Sequence, residues 1–297
     1  AEGHDDLVVL DADLAAATKT GVFRKAHPDR HFDCGIAEAN MMGVAAGLST
    51  MGYVPFVSSF AMFAAGRAFE QIRNSVAYPH LNVKIGATHG GISVGEDGAS
   101  HQCCEDFALM RSLPGMTIIC PADDVEARAA VRAAYEMQGP VYLRFGRLAV
   151  PVFHDEANYH FEIGKGVTLK EGKDVAIIAS GIMVDEALKA QEQLAAEGIS
   201  AKVIDMFTWK PLDEQLILDS AAECGAIVTA ENHQVKVGLG SAVANVVIKN
   251  NPVPMEMVGV EDRFGQVGAE SFLREEYGLT AAHIVEAAKK AIARKNG

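Results

Sequence analysis

The segment from Thr88 to His101 carries the densest group of side chains that could do chemistry. It contains His89, Asp97 and His101 together with four glycines, and it lies between a strand pattern and a helix pattern. Ligands of α/β sheets bind at turns of this kind, and a long glycine-rich loop with several polar groups is more typical of a site than of a plain connection. Because the spacing of His89, Asp97 and His101 fits no zinc pattern, we predict no metal site in this chain.

A carboxylate, Glu38, interrupts the apolar segment from Gly35 to Leu48, in which Asn40 is the only other polar side chain. The pattern predicts a helix over 36–51 that is apolar on nearly all sides and is therefore buried. A buried carboxylate must find a partner or take up a proton, and such groups cluster at functional sites. A structural glutamate that caps or bridges a neighbouring element fits the pattern at least as well.

Two further patterns have both a structural and a functional interpretation. Phe60 and Phe63 share one face of a predicted helix, which is most typical of core packing, although such a pair can also stack against a flat heteroaromatic ring. Arg144 and Arg147 follow an apolar strand pattern. Arginines at a strand end suit bidentate phosphate binding, and a surface salt bridge is an equally good interpretation.

Composition limits the classes of function. A net charge of -13 argues against sequence-independent nucleic-acid binding, which needs a cationic surface, although local arginines and histidines can still bind small anions. The number of cysteines, five, is odd and includes no CxxC pair, which predicts reduced thiols and a cytoplasmic location. We expect no signal peptide, and no apolar run approaches the roughly 20 residues that span a bilayer, so we expect no membrane segment.

Short apolar runs alternate with longer helical patterns, which predicts α/β domains with largely parallel sheets. In the first half the predicted strands are 7–11, 53–58, 82–87, 116–120 and 141–145, and the predicted helices are 36–51, 60–77, 103–112 and 123–137. In the second half the predicted strands are 175–179, 201–205 and 226–230, and the predicted helices are 183–197, 212–222, 239–249 and 280–294.

A polar stretch with several glycines separates the two series of elements. We therefore predict two domains, 1–155 and 174–297, joined by a linker over 156–173. Each domain is expected to contain a mainly parallel sheet with helices on both of its faces.

Three motifs together resemble the transketolase family. They are Gly35-Ile-x-Glu38, Ser59-Phe60-x-x-Phe63 and Gly95-Glu-Asp-Gly98-x-x-His101-Gln102, in this order along the chain. The resemblance covers essentially the whole chain and implies a pyrimidine-binding domain of the thiamine diphosphate-binding fold, followed by a transketolase C-terminal domain. The third motif favours transketolases and deoxyxylulose phosphate synthases over the β subunits of 2-oxoacid dehydrogenases.

The resemblance implies which residues hold the cofactor. The family's glutamate at the position of Glu38 hydrogen-bonds the aminopyrimidine ring of thiamine diphosphate and acts in general acid–base catalysis. Phe60 and Phe63 match its stacking aromatics, and Asp13 matches an aspartate near the cofactor. A third aromatic of the family is replaced here by Gly66, so the pyrimidine pocket is either looser or filled by another side chain.

The resemblance also implies a sugar-binding channel. His89, Asp97 and His101 would line it, with Asp97 and His101 at the donor's hydroxyls and His89 near the phosphate end; we assign His101 a catalytic role. Arg144 matches the family's phosphate-binding arginine. A family serine that helps to bind phosphate is absent, and Thr18 or Lys19 would take its place.

The expected partner follows from a missing motif. Thiamine enzymes hold Mg²⁺ and diphosphate with Gly-Asp-Gly and a later Asn, and this chain has no Gly-Asp-Gly. The resemblance therefore implies a partner, the transketolase N-terminal-section subunit, which holds Mg²⁺ and shares thiamine diphosphate in an α₂β₂ assembly acting on sugar phosphates. Two alternatives remain: half of a deoxyxylulose-phosphate-synthase-like or 2-oxoacid decarboxylating enzyme, and a regulatory or scaffold homologue without catalysis.

Overall fold

The computed structural model describes residues 1–297 and contains two sheets, of seven and five strands. Its strands are β1 (Leu7–Asp11), β2 (His31–Asp33), β3 (Val54–Phe60), β4 (Lys84–Thr88), β5 (Thr117–Ile119), β6 (Val141–Arg144), β7 (Val167–Lys170), β8 (Val175–Ala179), β9 (Ala201–Asp205), β10 (Thr208–Lys210), β11 (Ile227–Gln234) and β12 (Met255–Val260). Its α-helices are α1 (Ala15–Thr18), α2 (Gly21–Ala26), α3 (Glu38–Thr50), α4 (Phe69–Gln71), α5 (Asp106–Arg111), α6 (Asp124–Glu136), α7 (Met183–Ala196), α8 (Glu214–Cys224), α9 (Leu239–Asn250), α10 (Glu270–Glu276) and α11 (Ala281–Asn296). Short 3₁₀-helices cover Pro28–Arg30 and Ile92–Asp97, and π-helical turns cover Met62–Arg67 and Ile72–Ala77.

Both sheets are mainly parallel. The first has the order β10-β5-β6-β4-β3-β1-β2, and only β10 runs antiparallel to its neighbour. The second has the order β12-β11-β8-β9-β7, and only β7 is antiparallel. Buried strands such as β8, which is apolar throughout, are typical of parallel sheets covered on both faces. The predicted fold class, two α/β domains with mainly parallel sheets, is confirmed.

The two domains share part of one hydrophobic core. Strand β10 follows β9 of the second sheet directly, yet it pairs with β5 at the edge of the first sheet. There Trp209 of β10 stacks on Phe107 of α5, with 3.8 Å between the ring centroids. The largest apolar cluster accordingly extends from Val8 in β1 to Val247 in α9.

Most predicted elements are present, and the exceptions are informative. Strands 175–179 and 201–205 agree with β8 and β9 at both ends. Strands β2, β7, β10 and β12 and helices α1, α2 and α10 were not predicted. Because β7 lies within the predicted linker 156–173 and pairs with β9, that segment is part of the second sheet as well as a connection.

The predicted helix 60–77 is helical, but much of it is π-helical. The two π-helical turns flank the short helix α4. A π-helical turn contains an extra residue and is frequent at functional sites. The first of these turns ends at Arg67, a residue of the candidate site.

Helix α3 begins at Glu38 and is buried on one face only. Met41 and Met42 are fully buried, whereas Val44 is 40% exposed and its neighbours Gly43 and Gly47 are exposed. The prediction that this helix is covered on nearly all sides is therefore wrong for the chain by itself. No helix of the chain combines the length and the apolar character needed to cross a membrane.

Candidate functional site

Five neighbouring parallel strands of the first sheet end at one edge, in the order β6-β4-β3-β1-β2. In α/β proteins, ligands bind at the edge of the sheet where the parallel strands have their carboxyl ends. The residues that follow or end these strands are Arg147 (β6), His89 (β4), Phe60 (β3), Asp13 (β1) and Glu38 (β2). Sequence positions far apart are thus brought to one edge of the sheet.

Glu38 is buried and paired with one arginine. Its side chain is 1% exposed, and Nη1 of Arg67 donates to Oε1 at 3.0 Å and to Oε2 at 2.9 Å. Glu38 is also the first residue of α3, where the helix dipole favours a negative charge. The Arg67 side chain is 51% exposed and its guanidinium lies 4.7 Å from the Phe63 ring centroid. The carboxylate is therefore satisfied by a side chain that itself reaches solvent.

An aromatic cluster lies beside this pair. Phe60 and Phe63 stack at 5.9 Å between centroids, and His89 stacks on Phe60 at 3.8 Å. His101 meets Phe63 edge-on at 5.2 Å. Phe63 is only partly buried, so part of this aromatic cluster reaches solvent.

Gly66, where the family has a third aromatic, leaves no hole in this cluster. A Cβ atom at Gly66 would lie 2.5 Å from the terminal methyl of Met62. The flexible thioether side chain of Met62 therefore occupies the space beside Gly66.

His89 is neutral at physiological pH. Burial lowers its pKa to about 4; the nearby Arg147, His101 and Lys19 lower the pKa of His89 further, and Asp97 raises it. These influences place Arg147, Lys19, Asp97 and His101 around one imidazole. A neutral imidazole offers one donor and one acceptor, and Nδ1 of His89 already contacts the Thr88 hydroxyl at 2.9 Å.

Asp13, Lys19 and His89 share an unusual backbone conformation. Their φ angles are 60°, 69° and 58°, in the left-handed region that non-glycine residues rarely adopt. Such strain concentrates at functional sites. Asp13, shortly after β1, and Lys19, directly after α1, are exposed, so neither side chain is committed to the core.

The loop with His89 and His101 is shaped by the second domain. A Cβ at Gly91 would lie 2.2 Å from the carboxamide of Asn232, and that side chain accepts from the Ile92 amide at 3.0 Å and approaches the Gly90 carbonyl at 3.4 Å. Gln102 donates to the carbonyls of Ile92 and Gly95 and, across the domains, of Gln266. Polar contacts from another domain thus fix the loop.

Arg144, predicted to bind phosphate, is buried and hydrogen-bonded through each of its three side-chain nitrogens. Its side chain is 5% exposed, and Nε and Nη2 donate to the Asp106 carboxylate at 3.1 and 3.2 Å. Nη1 and Nη2 donate to the carbonyl of Asn232, and Nη2 also to that of Cys103. This buried guanidinium, hydrogen-bonded through all three of its nitrogens, joins the two domains. Phosphate binding by Arg144 stays a prediction, and this packing speaks against it.

Arg147 is the arginine of this strand end that remains accessible. Its side chain is 33% exposed, Nη1 donates to the Val94 carbonyl, and Glu96 lies 3.7 Å away. Its charge acts on His89. Of the two arginines named for this strand end, Arg147 is therefore the one whose guanidinium is accessible at the site.

Glu231 and His233 are buried in the second domain, where Glu231 organises a helix start. Glu231 accepts from the amides of Leu239 and Gly240 at 2.7 and 2.8 Å, which fills the N-terminus of α9. Both side chains are fully buried, so neither reaches a ligand.

The sequence did not predict the positions of two side chains of the site, Arg67 and Arg147, or one polar cluster elsewhere. Arg67 stands in an apolar segment as a lone cation at the end of the first π-helical turn, and no sequence pattern connects it to Glu38. Arg147 was named with Arg144, but the choice between them needed the packing. A third set, Glu126, His154 and Asp205, places potential metal ligands within 4.8 Å of one another, and no spacing rule connects positions so far apart.

Comparisons with known proteins give consistent matches. The model of the transketolase pyrimidine-binding domain matches residues 1–152, and the model of the transketolase C-terminal domain matches residues 164–284. A putative transketolase C-terminal section of Methanocaldococcus jannaschii is 48% identical over 293 residues, which cover 97% of this chain and 92% of that protein.

A 6-deoxy-6-sulfo-D-fructose transketolase subunit of Clostridium sp. is 48% identical over 297 residues, covering 100% of this chain and 92% of that protein. A solved structure described as a split gene transketolase, inactive beta4 tetramer, is 54% identical. It superposes with a TM-score of 0.92 and covers 99% of this chain and 94% of its own.

Proposed function

Because this chain belongs to the transketolase family, we propose that it is the subunit of a thiamine diphosphate-dependent transketolase that holds the cofactor's pyrimidine ring and the sugar substrates. The enzyme transfers a two-carbon ketol unit from a ketose phosphate to an aldose phosphate. A partner subunit, corresponding to the N-terminal section of transketolase, supplies the sites for the diphosphate and Mg²⁺.

One observation carries this proposal: a buried carboxylate lies beside a partly open aromatic surface. An aminopyrimidine ring needs a flat apolar contact and a hydrogen-bonding partner for its ring nitrogen. Phe60 and Phe63 offer the contact, and Glu38 offers the partner once Arg67 releases it. When bound, thiamine diphosphate supplies the electron sink for carbon–carbon bond cleavage.

Glu38 is the residue that holds and moves a proton. It is buried at the first turn of α3, and we propose that its carboxyl group shares a proton with the bound ring. A positioned general acid–base group of this kind contributes about 10²–10⁴-fold to a rate. Asp13 stands at the neighbouring strand end and is proposed to lie near the cofactor.

The sugar channel is proposed to be formed by Asp97, His101 and His89. Asp97 is exposed and His101 half-buried on the glycine-rich loop, so both can reach a substrate hydroxyl. The neutral imidazole of His89 can donate or accept a hydrogen bond without repelling a cation nearby. These groups favour a hydroxylated donor over a simple 2-oxoacid, which has fewer hydrogen-bonding groups.

Arg147 and Lys19 are proposed to bind the anionic end of the sugar. Both act on His89 as positive charges, and both are at least partly exposed. A guanidinium binds phosphate in a bidentate manner. A sulfonate presents a similar set of anionic oxygens, so the sugar of the Clostridium relative is a useful second substrate to assay.

The exposed face of α3 supports the proposed partner. Ile36 and Met51, at the two ends of the helix, are each 75% exposed, and Val44 between them is 40% exposed. Gly43 and Gly47 have open space where a Cβ would project. An apolar strip with small residues suits close approach of another subunit, and two β chains around a twofold axis would complete an α₂β₂ assembly.

A reducing compartment fits the thiols of the chain. Cys34, Cys103, Cys104, Cys120 and Cys224 are all free. Unpaired cysteines are typical of cytoplasmic proteins, and we propose that the enzyme works there.

The testing experiment titrates thiamine diphosphate with Mg²⁺ into this chain alone and into an equimolar mixture with a candidate diphosphate-domain partner. Calorimetry follows binding, and a coupled assay follows turnover of xylulose 5-phosphate and, separately, of 6-deoxy-6-sulfofructose. We expect binding and turnover only in the mixture. Tight binding and turnover by the chain alone would refute the shared site, and binding without turnover of these two sugars would point to an oxoacid or a branched ketose phosphate as donor.

A variant tests the assembly surface independently of chemistry. Val44→Asp places a charge in the exposed apolar strip of α3, and we expect loss of the complex in size-exclusion chromatography. Ile248→Asp is the matched control, because Ile248 is 71% exposed on α9 of the other domain. Equal behaviour of the two variants would exclude α3 as the contact surface.

A further inference from the structure

A buried polar cluster lies at the seam of the two domains and has no part in the proposed transketolase chemistry. Asp123 and Glu126 come from the N-terminal end of α6 in the first domain. Asp205 is the last residue of β9 in the second domain, and His154 belongs to the connecting segment. All four side chains are at least nine-tenths buried.

The cluster contains three carboxyl groups and a single imidazole. Asp123 is 3% exposed, and Glu126 and Asp205 are 0% exposed. His154 approaches two of these carboxylates, whereas no lysine or arginine nitrogen lies within 4.0 Å of any of the three. Buried carboxylates without a counter-charge are costly, so native proteins pair them, protonate them or coordinate a metal ion with them.

Asp205 differs from the other two carboxylates in having no protein donor. Asp123 accepts from the amides of Glu126, Phe153 and His154 at 2.9–3.0 Å. Glu126 accepts from the Ala122 amide and the Tyr159 hydroxyl. No protein group hydrogen-bonds either oxygen of Asp205 within good geometry, and Nε2 of His154 also has no such partner. Nε2 faces the Asp205 carboxyl group at 3.9 Å.

The arrangement resembles a preorganised metal site. One carboxylate oxygen of Glu126, one of Asp205 and one ring nitrogen of His154 all lie within 4.8 Å of one another. On the other side of the imidazole, Nδ1 lies 3.1 Å from Oδ2 of Asp123, while Nε2 faces Asp205 at 3.9 Å. A histidine that ligates a metal usually donates its other ring N–H to a carboxylate, and Asp123 is placed for this role.

We propose that Glu126, His154 and Asp205 bind one divalent first-row transition-metal ion, with Asp123 and Tyr159 orienting the ligands. One imidazole nitrogen with two carboxylate oxygens suits Zn²⁺ or Mn²⁺. An ion of charge +2 also offsets the negative charges of the carboxylates that bind it. The sequence predicted no metal site, because Glu126, His154 and Asp205 lie far apart along the chain and come together only in the fold.

The ion has a structural role. Its ligands come from α6, from the connecting segment and from β9, so it cross-links both domains and the chain between them. Binding to the folded chain alone stabilises the native state by mass action. The site is separate from the Mg²⁺ of the cofactor, which belongs to the proposed partner.

The test uses the full chain without partner or thiamine diphosphate, so that the cofactor's metal is not counted. The chain is stripped with a chelator, then titrated with Mn²⁺ and with Zn²⁺ in a calorimeter, and bound metal is measured by elemental analysis. We expect one ion per chain and a melting temperature raised by at least about 4 °C at a hundredfold excess over Kd. No bound metal and no shift would overturn the proposal, and the cluster would then be neutralised by shared protons.

Two variants locate the ion. Asp205→Asn and His154→Gln each remove one ligand and are expected to weaken binding on the order of 100-fold. The matched control is Asp124→Asn, because Asp124 is an exposed carboxylate next to the cluster on α6. Unchanged affinity in both ligand variants would move the ion elsewhere and reject these residues.

Folding of the variants does not limit the test. Asp205→Asn removes an uncompensated buried charge, so the apo variant is expected to be at least as stable as the apo wild type. Circular dichroism checks this. If one variant does not fold, the other gives the decisive affinity, and the metal-dependent melting of the wild type stands on its own.

Discussion

Arg144 and Arg67 each pair with a buried carboxylate, yet their surroundings are opposite. Arg144 is 5% exposed, binds the fully buried Asp106 and uses its remaining donors on backbone carbonyls of both domains. Arg67 is 51% exposed and binds Glu38 through a single nitrogen. Both are ion pairs by distance, and only one of them can open to admit a ligand.

The difference separates structure from function within one sheet. A buried guanidinium whose three nitrogens are all hydrogen-bonded would have to break several of these bonds before it could bind a phosphate. A half-exposed arginine loses little when its partner is taken by a ligand, because water replaces the lost bonds. The completeness of hydrogen bonding, more than the residue type, therefore distinguishes the domain seam from the candidate site.

The largest effect is expected at the carboxylate of the site. Glu38→Gln should lower turnover of the assembled enzyme by about 10²–10⁴-fold, because the amide cannot exchange the proton, while assembly and melting temperature stay near wild type. Steady-state kinetics and size-exclusion chromatography measure both. Glu70→Gln, on the exposed side of α4, is the control, and retained activity in Glu38→Gln would remove Glu38 from the chemistry.

The next effect is expected at the seam and concerns stability. Arg144→Met leaves Asp106 buried without its counter-charge, and such a broken buried pair typically costs about 3–5 kcal/mol. Urea unfolding of the isolated chain measures the loss. A loss below about 1 kcal/mol would show that Asp106 finds another partner, and the contrast with Arg67 would disappear.

A buried histidine of the seam should give stability a pH dependence. Burial lowers the pKa of His233 to about 4, with Asp106 raising and Arg144 lowering it. The folded state thus favours the neutral imidazole, so its contribution is complete above the unfolded pKa near 6.5 and is lost as pH falls from about 6.5 to 4, by about 3 kcal/mol at most. His233→Gln should be less sensitive to pH over this range, and an identical profile would assign the acid lability to other groups.

The smallest effect sharpens the comparison at Arg67. We expect the Arg67–Glu38 pair to open when the pyrimidine ring binds. Arg67→Met should therefore tighten the binding of thiamine diphosphate to the assembled enzyme. The expected gain is at most about fivefold, because such a half-exposed ion pair contributes less than about 1 kcal/mol. Calorimetry with Arg73→Met, an exposed arginine farther along the same segment, provides the reference. Weaker binding would mean that Arg67 contacts the cofactor directly.

The fold was predictable where local pattern and final packing agree. Strands β8 and β9 are apolar runs with clear ends, and their predicted bounds match. Strand β10 spans three residues and exists because it pairs with β5 of the other domain, which no local pattern indicates. Strand β12 follows Pro252 and Pro254, and these prolines resemble the end of ordered structure more than the start of a strand.

The sequence indicated which segments form the site, but it did not indicate which side chains contact one another. Arg144 and Arg147 follow the same apolar run, and the distinction depends on Asn232, whose carbonyl lies 88 positions along the chain from Arg144. The apolar pattern of α3 likewise cannot tell burial in the core from burial against another subunit. The assignments of Glu38, Phe60, Phe63, Asp97 and His101 came from motifs, and their roles stay predictions.

The contacts of the glycine-rich loop limit how the gene for this chain can recombine or divide. Gly90 and Gly91 lack side chains where Arg144 and Asn232 occupy the space, and Asn232 stands 142 positions from Gly90. The loop and the second domain therefore form one genetic unit, in which a substitution in either must be matched by the other. Recombination that replaces one domain with that of a distant relative would place other side chains against these glycines. A division of the gene between the loop and Asn232 would put the two contacting surfaces on separate chains.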